Sequence, residues 1–151
     1  MWYRIFGLSE IEPDPTEMLH HLHQNHLLVE GHFKGDDLGW TQVSLQLGHG
    51  TPLTVDRFLT TQDDLRQDLN SWAAWLETLD YSHNSLPLME RLIQTQQLIT
   101  ARFPIDYPDE IQMTRLCHLL SMWLAEQTNG VLYIEGDGWY NQNNELLIKE
   151  Y

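Results

Sequence analysis

The chain has little of three things that often reveal where a protein works and what it binds. Its 151 residues include one cysteine and only eight lysines and arginines, against 22 aspartates and glutamates. It also lacks a long apolar run: the longest charge-free apolar stretch, 116–125, is about half the length of a membrane-spanning helix. Because Cys117 is the single cysteine, it has no internal disulfide partner. Its leucine neighbours predict that it is a small residue of the core.

The shortage of basic residues argues against nucleic acid as a partner, and the lack of a long apolar run argues against a membrane. No segment gathers the lysines and arginines that nucleic-acid binding needs, and a net charge of −14 repels phosphate backbones. The N-terminal sequence MWYRIFGLSE has no apolar run of signal-peptide length. We therefore expect a cytoplasmic protein that binds neither nucleic acid nor a membrane.

The acidity extends along the whole chain. Residues 1–50, 51–100 and 101–151 contain 7, 7 and 8 acidic residues, so no acidic tail accounts for the charge. A global negative field favours a basic protein as partner, although the same field also keeps a protein soluble without any partner. Both explanations stay open at this point.

The composition predicts one globular domain over 1–151. Apolar residues make up 42% of the chain and aromatic residues 11%, which is typical of a folded domain of this length. The N-terminal residues 1–8 predict a strand. Asp14-Pro15-Thr16-Glu17 then predicts a helix start that runs to about Gln24.

Alternating and helical patterns follow one another along the rest of the chain. Segments 27–33, 40–47 and 53–58 predict three antiparallel strands. Leu65, Leu69 and Trp72 begin a stripe at helical spacing, and a further helix is predicted from Pro87 to Arg102. A last helix should run from about 106 to 129, followed by two or three short strands. The expected class is α+β, in the order β-α-β-β-β-α-α-α-β-β, with a mostly antiparallel sheet and helices on one face.

Five histidines within thirteen residues, at positions 20, 21, 23, 26 and 32, suggest a metal site. His20, His23 and His26 are the candidate ligands for zinc or nickel. Their spacing differs from the common paired-ligand motif, which places two histidines four residues apart around a glutamate. Histidines on the polar face of a helix are the alternative, and otherwise no cofactor is predicted.

Acidic loops and tryptophans outside the clear patterns are the candidate contact residues. Asp36 and Asp37 with Glu30 and His32 could hold magnesium or calcium, but an acidic turn between two strands is the simpler interpretation. For a basic partner we expect contacts through the acidic pairs Asp36-Asp37 and Asp63-Asp64 and the tryptophans Trp75 and Trp139. Gln96 is expected as a buried amide on the apolar face of the third helix.

The C-terminal sequence LAEQTNGVLYIEGDGWYNQNNELL, residues 124–147, resembles uncharacterised bacterial domains that include some immunity-type proteins of toxin systems. The shared features are a helix end, an Asn-Gly cap and a closing hairpin. The resemblance implies a protein-binding role, and it assigns no role to any single residue.

Three functions are compatible with these observations. We expect a non-catalytic protein-interaction module of immunity-like or regulatory type that binds a basic protein. The alternative is a small metal- or ligand-binding protein or enzyme that uses the histidines from His20 to His32. The third is a homodimer whose extra tryptophans fill a symmetric interface. No segment joins a nucleophile, a base and an orienting group at a catalytic spacing, so no catalytic residue is predicted.

Overall fold

One antiparallel sheet organises the molecule. The computed structural model describes residues 1–61 and 64–151, which form four helices and eight strands. The strands lie in the order β2-β3-β4-β5-β1-β6-β7-β8. They are β1 (Trp2–Gly7), β2 (Glu30–Asp36), β3 (Gly39–Gln46), β4 (Leu53–Leu59), β5 (Gln97–Arg102), β6 (Gly130–Ile134), β7 (Gly138–Tyr140) and β8 (Leu146–Lys149). The helices are α1 (Pro15–Gln24), α2 (Arg66–Glu77), α3 (Ser85–Ile93) and α4 (Glu110–Gln127).

The N-terminal strand β1 lies inside the sheet, between β5 and β6. Ile5 is opposite Ile99 on one side and Leu132 on the other, and all three are fully buried. Successive residues of β1 point to opposite faces, so Ile5 and Phe6 belong to different core clusters. The apolar character of this strand on both faces follows from a helical layer on each side.

The first face of the sheet is covered by α1 and α4. The side chain of Asp14 accepts hydrogen bonds from the amides of Thr16 and Glu17, so it caps α1 as predicted. That helix buries Met18 and Leu22 against the sheet. The longer α4 packs beside it on the same core cluster.

The second face is covered by α2 and α3, but only in part. These two helices pack on each other and on the side chains of β5, β1, β6, β7 and β8 that point to this face. Within the described part of the chain, no residue of β2 or β3 belongs to the second core cluster. The part of this face formed by β2 and β3 therefore has no helix over it, whereas Phe58 of β4 packs against the second core cluster.

The predicted α+β class and antiparallel sheet are confirmed, and the order of elements agrees in part. The helix predicted from Pro87 to Arg102 ends at Ile93, and 97–102 form β5 instead. The helices also occupy both faces of the sheet, not one. Because β5 is buried on both faces, its sequence does not alternate between buried apolar and exposed polar residues. The sequence pattern therefore predicts that the preceding helix continues.

The end of α4 shows a second local difference. In the Asn-Gly cap, glycine is the residue that ordinarily takes the left-handed conformation, but here Asn129 takes it, with φ of 51°. Gly130 instead begins β6, where a Cβ atom would lie 2.7 Å from the carbonyl oxygen of Phe6. Glycine is therefore needed here for a close strand approach and not for the turn.

A buried arginine ties two loops to the sheet. Arg57 of β4 is 4% exposed, and its Nε donates to Oε1 of Gln97 at 2.8 Å. Its Nη1 donates to the carbonyls of Leu38 and Trp40 at 3.2 and 3.0 Å, and its Nη2 to that of Glu10 at 3.3 Å. The guanidinium thus joins the β2–β3 turn to the segment that follows β1.

Gln97 continues this network on β5. Its Nε2 donates to the carbonyls of Ser9 and Ile11, the second at 2.9 Å. Burial lowers the pKa of Arg57 below its ordinary value, and the carboxylates of Glu12 and Asp36 oppose that shift. An arginine keeps its charge even so, which makes its hydrogen bonds charge-assisted.

Replacing this arginine should strongly destabilise the fold. Arg57→Met leaves one buried amide oxygen and three main-chain carbonyls without their donor, so we expect a loss of at least about 3 kcal/mol in the free energy of unfolding. Urea denaturation followed by tryptophan fluorescence measures this loss.

The control variant is Arg66→Met. Arg66 is exposed and donates to a single carbonyl, that of Ile93. The Arg66→Met variant should lose about 1 kcal/mol or less of the free energy of unfolding. Equal losses for the two variants would contradict the role assigned to Arg57.

Candidate functional site

A row of polar side chains crosses the second face of the sheet, from the uncovered strands β2 and β3 to β1. Lys34, Gln42, Asp56, Thr100 and Arg4 are consecutive cross-strand partners from β2 to β1 and point to the same face. Neighbouring strands lie about 4.8 Å apart, so the row extends over roughly 19 Å. Two clefts lie along this row, beside the start of α2.

The first cleft, here the polar cleft, has a volume of about 330 Å³. Its charged lining includes Lys34, Asp36 and Asp56, and Phe58 forms an apolar part of its wall. Gln42 Nε2 donates to Oδ1 of Asp56 at 2.9 Å and so orients that carboxylate. The polar cleft therefore offers groups of both charge signs within a short distance.

The second cleft, here the aromatic cleft, has a volume of about 360 Å³. Its lining is mainly apolar, with three polar residues among the eight. It consists of Trp2, Arg4, Phe58, Leu65, Asp68, Trp72, Leu98 and Thr100. Phe58 lines both clefts, so the two clefts are adjacent, and together they are named the groove.

The walls of the aromatic cleft belong to a larger aromatic cluster. Trp72 of α2 makes edge contacts with Phe6, Trp75, Tyr133 and Trp139, at ring-centroid distances of 5.2 to 6.0 Å. Such contacts fix the ring orientation. The cleft wall formed by Trp72 is therefore rigid and is held from behind by the second core.

The described residues of the two predicted acidic pairs lie in or near different clefts of the groove. Asp36 lines the polar cleft at the end of β2, and the exposed Asp37 follows it in the β2–β3 turn. Asp64 is exposed and directly precedes Leu65, which lines the aromatic cleft. Asp63 lies outside the described residues. Sequence reasoning missed Asp56 and Asp68, although the alternation of β4 indicates that Asp56 points away from the first core.

The two predicted contact tryptophans occupy different environments. Trp75 is half-buried in α2, where it contacts Trp72 and Tyr133. Trp139 has no exposed surface and lies 4.7 Å from the ring of Tyr133, so its placement on the surface is corrected. The tryptophans that border the groove are Trp2 and Trp72, which the sequence patterns assigned to a strand and a core stripe.

The histidine cluster does not converge on one point. His23 Nε2 is hydrogen-bonded to the carbonyl of Val29 at 3.0 Å, and His21 stacks on Trp123 at a centroid distance of 6.1 Å. His20 and His26 are exposed, at the middle and beyond the end of α1. Over residues 1–61 and 64–151, no three His, Cys, Asp or Glu side chains form a group that could hold a metal ion. The proposed zinc or nickel site of His20, His23 and His26 therefore has no support in the geometry, and neither has an ion at Asp36 and Asp37.

The predicted buried positions Gln96 and Cys117 differ in the structure: Gln96 is not fully buried, whereas Cys117 is. Gln96 is half-buried in the connection before β5, and the buried amide is that of the next residue, Gln97. Cys117 is fully buried in the first core. Burial raises the pKa of the Cys117 thiol to about 12, which disfavours the reactive thiolate. The position of Cys117 as a core residue agrees with the prediction.

No protein family, no curated protein and no solved structure matches this chain. The likeness of residues 124–147 to immunity-type domains therefore stays a prediction, although the helix end and hairpin it implies are present. None of the helices in the described ranges is long and apolar enough to cross a membrane.

The buried thiol predicts a loss of stability in alkali. The folded protein keeps the thiol proton up to a pH of about 12, whereas the unfolded chain releases it near the ordinary pKa of 9.0. The folded state then binds more protons than the unfolded state, so the free energy of unfolding falls as the pH rises above 9. From pH 9 to 10 this group should contribute a fall of about 1 kcal/mol.

Urea denaturation at pH 8, 9 and 10 measures this effect, with Cys117→Ala as the control. The variant should be less stable at pH 8 because of the cavity, but its stability should fall by about 1 kcal/mol less between pH 9 and 10. Parallel pH dependences of the two proteins would show that the thiol is accessible to ionisation in the folded state.

Proposed function

We propose that the protein is a non-catalytic interaction module of immunity-like or regulatory type that binds a basic protein in the cytoplasm. The observation that carries the proposal is the groove. Aromatic side chains form its apolar surface, and exposed carboxylates lie in or next to both of its clefts.

The charge distribution supports a basic partner. Asp36 lines the polar cleft and Asp37 follows it, while Asp68 lines the aromatic cleft and Asp64 precedes Leu65 of the same lining. The net charge of −14 adds a long-range field that attracts a basic surface and repels nucleic acid. Rim charges of this kind raise association rates more than they raise affinity.

The apolar wall supports a specific contact at the centre of the groove. Phe58, Trp2 and Trp72 are half-buried, and each presents part of an aromatic ring to a cleft. Aromatic residues at the centre of an interface, surrounded by polar rims, contribute most of the binding free energy in many complexes. The groove combines these two features in one surface.

The test compares two triple variants in which three negative charges are removed. The rim variant is Asp36→Asn, Asp37→Asn and Asp64→Asn, in which the asparagine at 36 can still accept the amide of Leu38. The control variant is Glu90→Gln, Glu126→Gln and Glu145→Gln, which are exposed on α3, on α4 and before β8. Proteins captured from a native lysate of the source cells are identified by mass spectrometry at low and high salt.

We expect the wild type and the control variant to retain the same basic protein at low salt and to release it at high salt. The rim variant should retain much less of it. The association rate constant with the purified basic protein is then measured at low salt. Relative to the wild type, it should fall about tenfold or more for the rim variant and much less for the control variant. Equal capture by both variants, or no basic protein in any sample, would refute the proposal.

A further inference from the structure

The aromatic cleft contains a cation whose hydrogen-bonding capacity is unused. The guanidinium carbon of Arg4 lies 5.3 Å from the ring centroid of Trp2 and 5.1 Å from that of Trp72. Within residues 1–61 and 64–151 no protein acceptor or carboxylate pairs with this side chain. A guanidinium presents five N–H donors in a planar fork, so an anion in the cleft would meet donors that are free.

The position of Arg4 is fixed before any ligand arrives. It lies on the central strand β1, directly opposite Thr100 of β5 and Tyr133 of β6. The two flanking indoles restrict its side chain further. A preorganised cation of this kind binds without the entropic cost of ordering a long side chain.

Thr100 adds a second polar group at the same place. Its side chain lines the cleft beside Arg4 and is 9% exposed. Its hydroxyl makes no hydrogen bond to any residue that the structure describes. A carboxylate held by Arg4 could therefore accept a further hydrogen bond from this hydroxyl.

The rest of the lining determines the ligand class. Trp72, Phe58 and Leu98 offer flat and apolar surfaces, and a volume of about 360 Å³ lies in the range of small-molecule sites. Asp68 lines the same cleft, and the protein as a whole carries −14 charges. Arg4 and Asp68 together carry no net charge, so a bound monoanion leaves the cleft with one negative charge, whereas a phosphate dianion leaves it with two and is repelled more strongly.

We propose that the aromatic cleft binds a small, planar, apolar carboxylate. Its carboxylate is held by the guanidinium of Arg4 and the hydroxyl of Thr100, and its ring system lies against Trp72 and Phe58. This site goes beyond the proposed function, because its occupant is a small molecule and not a protein.

The experiment uses three probes on the full-length protein. 2-Naphthoate combines the flat ring system with a carboxylate, 2-naphthamide keeps the rings without the charge, and acetate keeps the charge without the rings. Binding is followed by ¹H–¹⁵N spectra that resolve the indole N–H signals of the six tryptophans. 2-Naphthoate should shift the Trp2 and Trp72 signals at concentrations up to about 1 mM, and the other two probes should bind at least about tenfold more weakly.

Two arginine variants locate the site. Arg4→Met should weaken 2-naphthoate binding about tenfold or more, since it removes the charge and keeps an apolar side chain. Arg102→Met is the matched control, because Arg102 also lies over the Trp2 ring, at 5.6 Å, but does not line the cleft. It should change the affinity less than about twofold.

Several results would overturn the proposal. They are no shift with 2-naphthoate, equal binding of the amide, or an Arg4→Met variant that binds normally. The comparison of 2-naphthoate with 2-naphthamide uses the wild-type protein, so it tests carboxylate binding even if the Arg4→Met variant fails to fold. No protein partner takes part in the assay, so its failure leaves the proposed interaction with a basic protein untouched.

Discussion

The structure depends on the burial of its central strands between two layers of helices. Strand β1 and its neighbours β5 and β6 send alternate side chains into two separate cores. Each core needs its own pair of helices, α1 with α4 and α2 with α3. The second pair is too short to cover all eight strands, since α2 and α3 have 12 and 9 residues. The polar cleft lies on strands that this pair leaves uncovered, and the aromatic cleft lies where α2 meets β1, β4 and β5.

Local patterns in the sequence predicted those elements whose two faces differ. The alternation of Val43 and Leu45 with Gln42 and Ser44 identified β3, because one side of that strand faces the core and the other is open. The cap at Asp14 identified the start of α1 for an equally local reason, the need of the first helical amides for an acceptor. The class and the elements whose two faces differ could therefore be predicted, and the order of elements in part.

The central strands and the site could not be predicted in the same way. Residues 97–101 are buried, with Ile99 and Ala101 in the first core and Leu98 in the second, and a run that is buried on both faces does not distinguish a strand from a buried helix. Arg57 continues the inward alternation of Leu53 and Val55, but its partners come from segments up to 47 residues away. The aromatic cleft likewise joins β1, β4, β5 and α2, which no short segment of sequence brings together. The histidines at 20, 21, 23 and 26 are close together in the sequence, but their side chains do not meet at one point in the structure.

Charge has two different roles in this molecule. The carboxylates are distributed over the whole surface and produce a long-range field, which favours a basic macromolecule at the groove rims. Arg4 is an exception at the base of the groove, where flanking indoles and a neighbouring hydroxyl create a local site for an anion. A buried or partly buried charge is screened less than an exposed one, so a local cation can act within an acidic protein.

Hydroxyl-radical footprinting with mass spectrometry tests most directly whether the helices leave the groove open to solvent. The account predicts that Trp2, Phe58 and Trp72, which are half-buried at the groove, are oxidised in the folded protein. Trp139 and Phe6, which are 0% and 1% exposed, should stay protected until the protein unfolds. Oxidation of Trp139 as fast as that of Trp2, or protection of all three groove residues in the isolated protein, would contradict it.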